Sequence, residues 1–167
     1  MLKLRLKYRE LQGYDEGMDH QQLLEKYHSS ALTFIEEGRK ISSEAVNKSK
    51  DGEWSAAFVI HHIADAEIQF GVRYSNALCE DNPTIVPFDE EKFPIGLQYS
   101  KRSVANSLNA LAATHELNYE ILKNASAADW ERISTHPQRG EVSLLQVVTL
   151  GAKHIESHID QLKNAAI

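Results

Sequence analysis

Residues 143–162 read "SLLQVVTLGAKHIESHIDQL". Leu144, Val148, Gly151, Ile155 and Leu162 recur at the interval that puts small and apolar residues on one face of an α-helix. Ser143, just ahead of the stripe, is of the type that caps such a helix. Each residue turns about 100° around a helix axis. His154 and His158 therefore fall on one flank of the stripe, His158 closer in. Residues four apart share a face, so both rings can reach a single point. That is the spacing of a two-histidine helical metal site. An isolated H-x-x-x-H more often marks a helix seam with solvent access, so a further donor is needed to decide.

The segment "EWSAAFVIHHIADAEIQFGVRY", residues 53–74, supplies a candidate. Ser55 is a plausible cap, and Val59, Ile63, Ala66 and Phe70 form the stripe of a helix ending near Cys79. His62 lies on the edge of that stripe and His61 points nearly opposite. His62 is thus expected to face the interior and His61 to be solvated. Asp65, one turn beyond His62, is placed to bond an imidazole N–H and fix its tautomer. A solvated carboxylate or a partner for Arg73 is the competing reading. His62, His154 and His158 together make three nitrogen ligands from two helices, which leaves a coordination position open.

Two further helices complete the pattern. One starts at Asp19, with Gln22 completing a capping-box pattern, carries Leu23, Tyr27, Ala31 and Phe34, and fades near Gly38. Another starts near Ser100 and aligns Val104, Leu108, Leu111, His115 and Leu122. His115, in the middle of that stripe, is open between a fourth ligand, a donor to a ligand and a core histidine, the last two ahead. His20, His28 and His136 are expected to stay away from a metal. Between helices two and three, "DNPTIVPFDEEKFPIGLQY" is too long for a tight turn and is expected to cross the bundle or cover one end. "SAADWERIS" reads as a short extra helix capped by Ser126, and "THPQRGE" as a turn. The fold class is all-α, a four-helix bundle with a long crossover between helices two and three. Residues 1–167 read as one domain. Within it, the alternating basic start "MLKLRLKYRE" suggests an arm over residues 1–18.

Composition narrows the partners. A formal charge of −6 with scattered basic residues argues against nucleic acid. No apolar run reaches the length of a membrane span. A lone cysteine, Cys79, cannot build a disulfide framework and fits a reducing cytoplasm. H-I-E-S-H is not the zinc-protease H-E-x-x-H. Of the two Glu-x-x-His motifs a di-iron bundle needs, only one is present, ending at His28.

Trp54, Ser55, His62, Asp65 and Glu67, followed by Gly140, His154, His158 and Gln161, resemble the paired motifs of the DinB/YfiT-like superfamily of metalloenzymes. The resemblance covers essentially the chain from helix one onward. It implies a four-helix bundle of unusual connectivity, often a homodimer. It also implies a divalent metal, commonly zinc or nickel, on three histidines at His62, His154 and His158. Three imidazoles by themselves also suit copper, cobalt or iron, and manganese is not excluded. Characterised members include thiol S-transferases using low-molecular-weight thiols and a thiol-dependent maleylpyruvate isomerase. The leading expectation is therefore a cytoplasmic metal-dependent enzyme acting on a small molecule, by thiol S-transfer. Asp65 and Arg73 are the candidate catalytic side chains, Arg73 to hold a substrate carboxylate. Trp54, Phe88, Phe93 and Tyr99 are candidate pocket walls. The alternatives are a metal-dependent hydrolase of an amide or ester, with Asp65 or His115 as base, and a non-catalytic metal- or ligand-binding protein.

Overall fold

The computed structural model describes residues 19–50 and 52–166; the expected N-terminal arm lies outside them. Four long helices, His20–Lys40 (α1), Ala56–Cys79 (α2), Val104–Lys123 (α4) and Leu144–Ala165 (α6), form the bundle. Their starts follow local chemistry. The side chains of Asp19, Ser55, Ser103 and Ser143 each accept the backbone N–H three residues on, and Gln22 and Gln146 complete capping boxes. The third long helix begins after Ser103, not near Ser100, because residues 99–101 form a separate 3-10 turn.

α1 and α2 each pack against both α4 and α6. α1 and α2 thus face one another across the bundle, as do α4 and α6, whereas α2 and α4 lie side by side. Leu23, Tyr27, Phe34, Ile60, Ile63, Leu111, Leu122, Val148 and Leu162 fill the shared core. One polar cluster interrupts it. Glu67, 1% exposed, accepts from Tyr27 Oη across the diagonal, contacts His115 Nδ1 at 3.1 Å and accepts from Asn118 Nδ2 at 3.0 Å. A carboxyl so deep is tolerable only with donors of this kind around it. His115 is therefore a core histidine. Its Nε2 meets His28 Nδ1 at 3.2 Å, and His28 stacks on Tyr119.

The crossover after α2 runs back along that helix, with Val86 against Arg73, Phe88 against His62 and Tyr99 against Asp65, and passes through a short helix, Phe93–Gly96 (α3). A second short helix, Ala127–Trp130 (α5), is closed by the expected Ser126–Asp129 capping box. The segment expected as a plain turn is instead a two-stranded hairpin, Ile133–His136 (β1) and Gly140–Ser143 (β2), pairing Ile133 with Ser143 and His136 with Gly140. Gly140 takes φ +75°, which side-chain-bearing residues adopt at a cost. The start of the crossover hydrogen-bonds to β1, through Ile85 N to Thr135 O and Thr135 N to Pro83 O, each 2.9 Å. Arg132, leading into the hairpin, donates to Ala77 O and Glu80 O at the C-terminus of α2. The hairpin of residues 133–143 was hidden because four-residue strands carry almost no periodic signal.

Candidate metal centre

His62 of α2 and His154 and His158 of α6 meet beneath the crossover, where Phe88 packs on His62. One ring nitrogen from each can be chosen so that all three lie within 4.8 Å of one another. His62 Nε2 and His154 Nε2 are 3.0 Å apart. The ring centroids of His158 lie 4.9 Å from His62 and 4.7 Å from His154. This is the one such cluster of possible ligands among the described residues. His62 is fully buried, and His154 and His158 are nearly so.

Burial decides their charge. Desolvation, then the neighbouring His158, lowers the His62 pKa to about 3. Desolvation, followed by His158, His62 and Arg73, holds His154 well below the ordinary range. Burial lowers His158 too, against an opposing hydrogen bond from Gln161. All three rings are therefore neutral at pH 7, the form that donates a lone pair to a metal. Gln161 sets one tautomer. Its side-chain oxygen accepts from His158 Nδ1 at 2.5 Å, which leaves Nε2 unprotonated. His62 Nδ1 and His154 Nδ1 are buried without a hydrogen-bond partner. Three neutral imidazoles converging from two helices fit a divalent cation.

Other side chains settle differently. Asp65 touches no imidazole of the cluster. Its carboxylate accepts from Arg102 Nη1 at 2.9 and 2.7 Å and from Tyr99 Oη at 2.7 Å. The expectation that it fixes a ligand tautomer is corrected: Asp65 instead ties the end of the crossover to α2. Helical phase placed it on the right flank, but Arg102 arrives from 37 residues away in sequence. His61, expected in solvent, is fully buried, because the crossover and α4 cover that face of α2. It meets Ser107 Oγ at 2.8 Å. Neither Asp65 nor His115 is placed as a base for the cluster.

Arg73 donates to Val86 O at 3.2 Å, and its guanidinium lies over Phe70 and Phe88. It stands close enough to His154 for its charge to help depress the basicity of that ring. Trp54 and Phe88 wall His62, with centroids 5.3 and 6.2 Å from its ring, and Phe93 backs Phe88. Tyr99 is committed to Asp65 and does not line the cluster. Glu156 pairs with Lys26 on the surface, as its outward phase implied. His20 stacks on Trp130, and His136 closes the hairpin loop by accepting from Gln138 N.

One residue at the cluster had no sequence signal. Glu90, in the crossover turn, brings Oε1 to 3.7 Å from His154 Nε2. Burial, then Asp89, raises its pKa. It belongs to no helix stripe, so periodicity could not aim it.

Comparisons with known proteins agree with this architecture. Residues 4–162 match the family model described as "DinB superfamily". A protein of Bacillus cereus (strain 03BB102), named "Putative metal-dependent hydrolase", is 32% identical over 146 residues, covering 78% of this chain and 84% of its own. One from Oceanobacillus iheyensis, also named as a "Putative metal-dependent hydrolase", is 30% identical over 120 residues, covering 71% and 69%. Among solved structures, YfiT from Bacillus subtilis superposes with a TM-score of 0.81 at 19% identity, over 92% of this chain and 90% of that one. It is described as "a probable metal-dependent hydrolase with an unusual four-helix bundle topology". At that identity the likeness speaks for the fold.

Proposed function

The chain belongs to the DinB superfamily, and on that premise we propose that it is a metal-dependent hydrolase of a small amide or ester, with His62, His154 and His158 as the ligands. The observation that carries this reading is the convergence of three buried, neutral imidazoles beneath the crossover. When bound, a divalent cation supplies Lewis-acid polarisation of a substrate oxygen and a nucleophile at neutral pH.

The protein's own groups do the rest. Gln161 holds His158 in the tautomer that presents Nε2. Trp54 and Phe88 give the site an apolar wall that excludes water from one side. Arg73, whose guanidinium lies over Phe70 and Phe88, stands near His154, where a carboxylate or carbonyl of the substrate would meet a cation. Thiol S-transfer, the leading expectation from the sequence, has no support in the names of the two relatives above, both of which are given as hydrolases.

The test is a panel of ester and amide substrates with zinc- and nickel-loaded protein. Turnover should vanish on chelation and in His158→Ala. A fully loaded protein that hydrolyses nothing in the panel, yet transfers a thiol to an electrophile, would return the reading to its other branch.

A further inference from the structure

From the crossover and the triad together we infer that Glu90 is a fourth, displaceable metal ligand; this rests on the metal-centre reading above. A divalent cation held by three neutral rings keeps its full charge in a desolvated place, which is costly without a nearby anion. The two carboxylates of α2, the helix that carries His62, are already committed. Asp65 is neutralised by Arg102, and Glu67 is locked among Tyr27, His115 and Asn118. Among the described residues, Glu90 is the acidic side chain with an oxygen within 4 Å of a triad nitrogen.

The distance is close to what shared ligation requires. At metal–ligand bonds of about 2.0–2.2 Å, two ligands of a tetrahedral site stand about 3.4 Å apart. The 3.7 Å between Glu90 Oε1 and His154 Nε2 is close to that edge. It is too long for a hydrogen bond, so the carboxylate is not tied to the His154 ring.

Local structure aims the residue. Phe88 packs against His62 on one side. On the other, Asp89 Oδ1 accepts from Glu91 N at 3.0 Å and Lys92 N at 3.3 Å, which fixes the turn. Glu90 sits between these two anchors and points back to α6. It is also the ligand best able to leave. The rings stand on packed helices, whereas Glu90 stands on a turn with its side chain 44% exposed. A substrate oxygen can take its place without disturbing the triad.

The experiment uses full-length protein titrated with Co²⁺, read by visible absorption, and with Zn²⁺ against a chromogenic chelator. Glu90→Ala and Glu90→Gln are compared with wild type and with Glu91→Ala, a neighbouring exposed carboxylate. Circular dichroism verifies that each variant is folded. Both Glu90 variants should bind at least about tenfold more weakly, with a changed cobalt spectrum, and Glu91→Ala should match wild type. Unchanged affinity and spectrum in both Glu90 variants would overturn the assignment while leaving the triad intact. A wild type that takes up no cobalt or zinc would instead bring down the triad reading, and this inference with it.

Discussion

Replacing Gln161 by Leu isolates one hydrogen bond whose consequence differs between the metal-free and metal-bound protein. The Gln161 oxygen accepts from His158 Nδ1 at 2.5 Å, and His158 is 7% exposed. Leucine keeps much of the side-chain volume and removes the acceptor. In the metal-free protein the ring can move its proton to Nε2, so little stability is lost. Binding a cation forbids that escape, because Nε2 must then carry a lone pair. The proton returns to Nδ1, now buried with no acceptor, at a cost of about 1–3 kcal/mol. That corresponds to a loss in affinity of about 10- to 100-fold, the range typical for groups that orient metal-bound histidines. The assay is zinc competition against a chelator, paired with thermal melts with and without metal. The metal-free melting temperature should hardly move, and the shift induced by metal should shrink. Affinity within twofold of wild type would refute the argument. So would a metal-free protein destabilised as much as the metal-bound one.

Other perturbations follow from the same coordinates. Arg102→Ala strands Asp65 with Tyr99 as its remaining described donor and should cost about 2–3 kcal/mol in denaturant melts, a buried-pair loss reduced because Arg102 is partly exposed. Asp65→Asn should cost about 1 kcal/mol and leave zinc affinity intact; a tenfold loss would restore its expected role on a ligand. Gly151→Ala places a methyl inside the contact distance of Tyr74 Oη, and Tyr74 is fully buried. Overpacking of about 1–3 kcal/mol outweighs the helix-propensity gain of about 1 kcal/mol, and Tyr74→Phe should partly restore the melting temperature. Acid should weaken the metal-free fold. Burial, then Arg102, lowers His61 to about 4, and His62 is at about 3. Below about pH 6.5 the unfolded chain binds the protons these rings refuse, so stability is complete above that pH. It falls as pH drops toward 4, by up to about 1.4 kcal/mol per unit for each ring. A melting temperature flat between pH 7 and 4.5 would contradict this.

What could be read from the chain alone was what a single helix encodes. The stripe through Leu144, Val148 and Ile155 placed α6, and caps at Asp19, Ser55 and Ser143 placed three helix starts to the residue. The same phase brought His62 to His154 and His158, because each ring projects from a regular element whose burial the stripe reports. The failures share a cause as well. Asp65, His61 and Glu90 are each decided by the crossover, whose path depends on Tyr99, Arg102 and Phe88 finding partners more than twenty residues away. No periodicity foretells such meetings. Glu67 illustrates an intermediate case. The family motif singled it out, but only the arrival of Tyr27, His115 and Asn118 from two other helices explains why a carboxyl can stay buried there.

The central claim is most directly tested by metal analysis of the protein purified without chelators, alongside His62→Ala and His158→Ala. The account predicts about one divalent ion per chain in the wild type and a substoichiometric trace in each variant. A wild type free of metal, or variants that keep it in full, would contradict it.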